Sequence, residues 1–280
     1  MRLLNKALPV LLVAIGTGII VCSGLLICGS VQDKANDSLY TGYTGAAKNT
    51  KQQNAATESP IRVDWEDLTD VNPEVVGWVY VEGDSKGDTI SYPVLYREKD
   101  RDHYLRHDIA GNFSKYGVPY IPGDYDIEGK VISIHGHNFG DSAKVMFSPL
   151  VKYENQKHAQ QHPTIWYGKV GGQMQPYTVF SVVLYDCSKL DAGEPCWNYL
   201  QSQFATDEEY ETWLIAAKEQ SLFDTGVTPT VDDNILILST CQTAAATNLR
   251  CVVMAVQDER WKRNEISGAE KKAGILLYQH

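Results

Sequence analysis

The residues best suited to covalent chemistry in this chain are a cysteine at the end of one apolar run and an arginine just before the next. The run Ile235–Leu238 leads to Cys241, and Arg250 stands before the run Cys251–Val256. A thiol attacks as the thiolate, which a nearby cation favours. If the two runs pair as an antiparallel hairpin, the eight-residue connection returns Arg250 to the side of Cys241. Because side chains alternate along a strand, Cys251 then faces away from Arg250, into the core, as a structural thiol.

A nucleophilic thiol also needs a proton-transfer partner, usually a histidine. His135 and His137 flank Gly136 directly after an apolar strand, where a rigid scaffold holds side chains that project from its end. This pair could instead bind a metal, but no third ligand follows at a recognisable spacing, and we predict neither metal nor cofactor. The remaining histidines are predicted to be surface residues in charged segments or, for the last, the C-terminus: His103, His107, His158, His162 and His280.

Eight short segments have the composition and alternation of β-strands. They are Val76–Val81, Thr89–Tyr96, Val118–Pro122, Lys130–His135, Thr164–Val170, Pro176–Asp186, Asn234–Thr240 and Cys251–Gln257. So many short strands in one domain favour a sandwich or a closed barrel.

Three segments are predicted to be helices: Val63–Val71, Arg97–His107 and Asp207–Leu222. The third begins with a capping box formed by Thr206 and Glu209. Its apolar residues recur on one face, which is expected to pack on the sheet: Tyr210, Trp213, Leu214 and Ala217.

The N-terminal region predicts a membrane anchor. Residues 1–6 carry two basic residues, and residues 7–28 carry no charge, which as a helix is roughly 33 Å long, enough to cross a bilayer. The preceding basic residues place the N-terminus in the cytoplasm and the rest outside. A cleaved signal peptide would need an A-x-A-like site, and lipoprotein processing at Cys28 would need a small residue before it; neither is evident. Residues 29–60 are predicted to be a flexible stalk and residues 61–280 the folded domain.

Composition narrows the possible partners. The chain of 280 residues has a formal net charge of -10, which argues against nucleic acid. No C-x-x-C pair occurs among the six cysteines, so a zinc site or a thioredoxin-like redox motif is not expected. Cys187 and Cys196 could be free thiols or form a structural disulfide, and the spacing leaves this open.

The motifs, in their order, resemble those of the class B sortases, cysteine transpeptidases of Gram-positive surfaces. The resemblance rests on L-S-T-C at Leu238–Cys241, Arg250 nine positions later and G-H-N at Gly136–Asn138. The segments "NPEVVGWVYV", "ISYPVLY", "HYLRHDIAGNFSKYGVPYI" and "FATDEEYETWLIAAKEQSLFDTGV" also look like successive landmarks of that family. The resemblance implies an α+β, mainly β fold. This fold is an eight-stranded barrel with additional N-terminal helices, here preceded by the predicted transmembrane helix.

The same resemblance implies roles for individual residues. Cys241 would be the nucleophile, His137 the general acid/base and Arg250 the oxyanion and substrate-positioning residue, with the backbone N–H of Gln242 as a second oxyanion donor. The neighbours expected in the site are Asn138, Ser239 and Thr240. Position 135 is a histidine where the family more often has tyrosine, so His135 remains an alternative to His137.

Family substrates are secreted proteins with a C-terminal sorting signal, NP-x-T in most class B members and LP-x-T-G in class A. The acyl group passes to an amine of the cell-wall peptide or its precursor. Three alternatives remain: a pilin-polymerising sortase that uses a lysine, a cysteine protease that mainly hydrolyses, and a tethered binding module without catalysis.

Overall fold

The computed structural model describes residues 44–46, 59–140, 143–245 and 247–258, all within the compact unit Tyr43–His280. The predicted anchor and most of the predicted stalk lie outside these residues. Across the part of the chain that is described, no helix is long and apolar enough to span a bilayer. Three residues predicted to belong to the stalk, Thr44–Ala46, instead form strand β1 and pair antiparallel with β2, Ile61–Val63. The pairing satisfies backbone hydrogen-bonding groups of both segments.

Eight further strands close into a barrel. They are β3 (Val75–Val81), β4 (Ile90–Tyr96), β5 (Tyr120–Ile121), β6 (Val131–His135), β7 (Thr164–Lys169), β8 (Gln175–Asp186), β9 (Ile235–Cys241) and β10 (Leu249–Gln257). Their order around the barrel is β10-β8-β7-β3-β4-β5-β6-β9. All eight predicted strands are therefore confirmed. Two pairings, β4 with β5 and β6 with β9, are parallel.

Four α-helices lie among the described residues: α1 (Trp65–Val71), α2 (Gln156–Gln161), α3 (Ser188–Asp191) and α4 (Asp207–Glu219). Short 3₁₀ helices occupy Lys86–Asp88, His103–Leu105 and Ser148–Glu154. Helix α1 begins later than predicted, because the Asp64 side chain caps it by accepting from the N–H of Asp67.

The helix predicted at Arg97–His107 is wrong. Only the 3₁₀ turn at its end is helical, and Lys99 has a left-handed φ of 65°, which an α-helix excludes. The segment is instead tied to other parts of the chain: the N–H of Lys99 donates to the carbonyl of Gly123, and the Arg97 side chain pairs with Glu74. Tertiary contacts therefore override the helical composition of this loop.

Helix α4 covers the outer wall of the barrel next to β9 and β10. Its predicted apolar face is confirmed, since Tyr210, Trp213, Leu214 and Ala217 are all buried. They pack with alternate residues of the two strands, among them Ile235, Ile237, Val252 and Met254. The opposite set, including Leu236 and Val253, is also fully buried and faces the barrel interior.

Helix α4 ends before its predicted limit. The N–H of Leu222 donates to the carbonyl of Val182, and the N–H of Val182 donates to the Ser221 hydroxyl. These bonds to β8 turn the chain away from the helix axis after Glu219.

Candidate active site

Cys241 and Arg250 face each other across the ends of β9 and β10. The two strands pair antiparallel with Arg250 opposite Cys241, which confirms the predicted hairpin. Both side chains are partly exposed, whereas Cys251, one position further, is fully buried. Burial strongly raises the pKa of the Cys251 thiol. Of these two cysteines, Cys241 is thus the one that solvent and a substrate can reach.

Thr247 of the loop and Leu249, the first residue of β10, supply hydrogen-bond partners to the two predicted oxyanion donors. The Arg250 Nη1 donates to the carbonyls of Thr247, at 2.6 Å, and Leu249, at 3.2 Å. The N–H of Gln242 also donates to the Leu249 carbonyl, at 3.0 Å. One carbonyl oxygen, that of Leu249, therefore accepts from both groups. In this conformation the Gln242 N–H is a rung of the hairpin ladder, so it does not point into an open site as the sequence led us to expect.

His137 lies just beyond the end of β6, after a glycine that the packing requires. A Cβ on Gly136 would come within 2.8 Å of the Phe147 ring, and the Phe147 N–H donates to the His137 carbonyl. The His137 Nε2 lies 3.0 Å from the Leu105 carbonyl. Because a carbonyl can only accept, Nε2 carries the proton and Nδ1 of the neutral ring is free to accept one.

The pKa of His137 lies below its ordinary value, chiefly because the ring is desolvated. The hydrogen bond to the Leu105 carbonyl opposes this shift, and the positive charge of Arg106 adds to it. The neutral imidazole is therefore the favoured form near neutral pH.

Several hydrogen bonds fasten the segment that carries His137 to the strand that carries Cys241. Strands β6 and β9 run parallel, so both end at the same rim. Beyond the ladder, the Thr240 hydroxyl donates to the Gly136 carbonyl at 2.8 Å. The buried Asn138 amide donates to the carbonyls of Cys241, at 2.9 Å, and Gln242, at 3.3 Å. Asn138 and Thr240 thus fix the position of one strand end relative to the other.

His135 occupies a different environment from His137. Its Nε2 lies 3.1 Å from the Ser133 hydroxyl, and its ring packs near Tyr120 and Tyr125. Burial lowers its pKa to about 3, and the charges of Arg101 and Arg250 contribute in the same direction. A ring held so firmly in the neutral form is a poor proton donor.

Sequence reasoning missed Tyr199, whose buried hydroxyl lies 3.1 Å from the Ser239 hydroxyl, two positions before Cys241. Tyr199 is on the segment between α3 and α4, and nothing in its sequence context predicts this contact. Cys187 and Cys196 are free thiols. Burial raises the pKa of the Cys187 thiol against the opposing influence of Arg250, so it is not activated.

Known proteins are similar to this chain in sequence and in fold. Sortase B of Staphylococcus aureus is 29% identical over 202 residues, covering 70% of this chain and 75% of that protein. Sortase B of Listeria monocytogenes is 28% identical over 206 residues, covering 70% and 76%. Among solved structures, the Staphylococcus aureus sortase B–substrate complex superposes with a TM-score of 0.59 at 28% identity, covering 69% of this chain and 84% of that one. No family model matches the chain.

The closed eight-stranded barrel and these similarities define a sortase, that is, a cysteine transpeptidase. Within that class, the similarity to the two sortase B proteins supports a class B sortase.

Proposed function

We propose that Cys241, His137 and Arg250 catalyse the transfer of a secreted protein from its C-terminal sorting signal to an amine. The observation that carries this assignment is the register that sets Arg250 opposite Cys241 at one rim of the barrel, where the end of β6 also delivers His137. A substrate complex is known for the similar Staphylococcus aureus sortase B, which supports the binding of a sorting-signal substrate by this chain.

In the proposed reaction, neutral His137 takes the proton of the Cys241 thiol at Nδ1, and the resulting thiolate attacks the carbonyl carbon of the scissile peptide bond. The oxyanion that forms takes the hydrogen bonds of the Arg250 guanidinium, which now go to the carbonyls of Thr247 and Leu249. The Gln242 N–H contributes only after its hydrogen bond to Leu249 is released. His137 as imidazolium gives its Nδ1 proton to the departing amine, and the intermediate collapses to a thioester.

The second half of the reaction regenerates the enzyme. A new amine attacks the thioester, neutral His137 takes its proton at Nδ1, and the Cys241 thiolate leaves. We propose that the signal is of the NP-x-T type and that the acceptor is an amine of the cell-wall peptide or its precursor. The predicted anchor at residues 7–28 would hold the catalytic domain outside the membrane, where secreted substrates emerge. Transfer to a pilin lysine and simple hydrolysis are the competing outcomes.

The test uses the full-length chain in detergent micelles with quenched-fluorescent peptides that contain NP-x-T or LP-x-T-G. Cleavage of the NP-x-T peptide should rise when a small primary amine is added, and mass spectrometry should find the amine joined to the N-terminal fragment. Cleavage without amine incorporation would show a hydrolase, and preference for LP-x-T-G would refute the proposed signal.

Matched variants assign the residues. Cys241→Ala and His137→Gln should abolish turnover, while Cys196→Ala, which removes an exposed thiol elsewhere, should retain it. His135→Gln should also stay active. Loss of activity in His135→Gln together with retention in His137→Gln would reverse the assignment of the two histidines.

A further inference from the structure

A cluster of three possible metal ligands lies where the loop after β3 meets helix α2. It consists of Asp84, His158 and His162, whose ligand atoms all lie within 4.8 Å of one another. Within the described part of the chain, no other group of three His, Cys, Asp or Glu side chains meets that criterion. The cluster shares no residue with the proposed catalytic site.

The geometry is close to what a zinc ion requires. The His162 Nε2 lies 2.8 Å from one oxygen of Asp84, and the His158 Nδ1 lies 3.5 Å from the other. Nitrogen and oxygen ligands at about 2.0–2.2 Å from tetrahedral zinc are themselves about 3.3 Å apart. The remaining separations are no more than 4.8 Å, so side-chain shifts on the order of 1 Å would bring both imidazoles and the carboxylate to such distances.

The two imidazoles are also held in place before any ion binds. The histidines are four positions apart, at α2 and its C-terminal cap, so they lie on one face. The Asn155 side chain caps this helix, the His158 ring stacks edge-on against Tyr153, and the Tyr153 hydroxyl donates to the His162 carbonyl. The side chains of His158 and His162 are only 11% and 15% exposed, whereas the sequence predicted that both histidines lie on the surface.

Among the described residues, Lys152 is the one lysine or arginine that pairs with Asp84. Its Nζ lies 3.5 Å from an Asp84 oxygen and 3.1 Å from an Asp88 oxygen. Lys152 therefore keeps Asp88 as a partner if a metal ion takes Asp84, although Asp88 is also paired with Lys144. The competition weakens metal binding without blocking it.

We propose that Asp84, His158 and His162 form a site for a divalent transition metal such as Zn²⁺, with solvent in the fourth position. Two imidazoles and one carboxylate suit zinc and its neighbours better than Ca²⁺ or Mg²⁺, which prefer oxygen ligands alone. The bound ion links the loop after β3 to α2. This inference is independent of the proposed function.

The test is a zinc titration of the full-length chain in detergent, carried out by calorimetry in a Cys241→Ala background so that this thiol cannot bind the metal. One zinc ion should bind per chain, and Co²⁺ should give the visible absorption bands of a tetrahedral site. His162→Gln and Asp84→Asn should each weaken zinc binding by at least about tenfold. Asp84 is half exposed, so its variant also reports if the histidine variant fails to fold.

Two further variants distinguish a metal site from an ion-pair cluster. Lys152→Gln should tighten zinc binding, because it removes the competing cation. His103→Gln is the matched control: His103 and His107 are likewise four positions apart and stacked, with Asp100 beside them, but the His107 Nδ1 is bonded to the His103 carbonyl. No stoichiometric zinc binding, or binding that survives both His162→Gln and Asp84→Asn, would overturn the proposal.

Discussion

At the scale of single residues, Arg250 is set apart by the shape of its side chain rather than by charge alone. Its Nη1 alone donates to the carbonyls of Thr247 and Leu249, and the guanidinium carries further N–H donors in the same plane. A lysine at this position would keep the positive charge but would lack this planar, fork-like set of N–H donors. The proposed role can therefore be separated from simple electrostatic attraction.

We predict that Arg250→Lys lowers kcat/KM for the preferred peptide by about 10²–10³-fold, the range found when an oxyanion donor is removed. Most of the loss should be in kcat. Steady-state kinetics with the fluorescent peptide measure this, with Arg62→Lys, on β2, as the control. A loss of only a few-fold would mean that charge is sufficient and that the fork has no role.

His135 should make the protein sensitive to acid. Its pKa falls from an ordinary 6.5 to about 3 on folding, so above pH 6.5 it is neutral in both states and neither is favoured. As the pH falls below 6.5, the unfolded chain gains a proton that the folded chain does not, and stability is lost until about pH 3. Over the complete interval, the free energy of unfolding falls by at most about 5 kcal/mol because of this group.

We predict that His135→Gln reduces the loss in free energy of unfolding between pH 7 and pH 4, as measured by urea denaturation. The comparison with the unaltered chain matters, because Asp88, whose pKa is lowered to about 2 by Ser85 and Lys152, also loses its stabilising effect in acid. Identical pH dependence in the two proteins would show that His135 is protonated freely in the folded state.

At the scale of elements, α4 depends on its first turn. The Thr206 hydroxyl accepts from the N–H of Glu209, at 3.2 Å. The Glu209 carboxylate accepts from the N–H of Ala205, at 2.7 Å, one residue before the N–H that a complete capping box would use. The predicted box is thus present in a shifted form, and it fixes where the helix begins.

We predict that Thr206→Ala lowers the free energy of unfolding by about 1 kcal/mol. Thr212→Ala is the control, because Thr212 lies on the exposed face of the same helix and its hydroxyl only returns to the Glu208 carbonyl. That variant should be neutral or slightly stabilising. Equal losses in both variants would show that the cap has no specific effect.

For the molecule as a whole, the sequence was most informative about local structure. Alternation predicted all eight barrel strands, and the short connection predicted the contact of Arg250 with Cys241. Neither pattern could show that β6 pairs with β9, since strands about a hundred residues apart leave no periodic signal. The link from His137 to Cys241 therefore came from family resemblance alone. The hydrogen bonds of Leu105 and Leu249 were equally hidden, because any residue type supplies a backbone carbonyl.

The same long-range pairing has a consequence for synthesis. The barrel closes only when β9 enters between β6 and β10, and these two, β9 and β10, come last along the chain among the eight barrel strands. A growing chain therefore carries His137 long before it carries Cys241, so a chain that stops before β9 lacks the proposed nucleophile. The order of strands along the gene thus delays the proposed activity until the last barrel strands have been made.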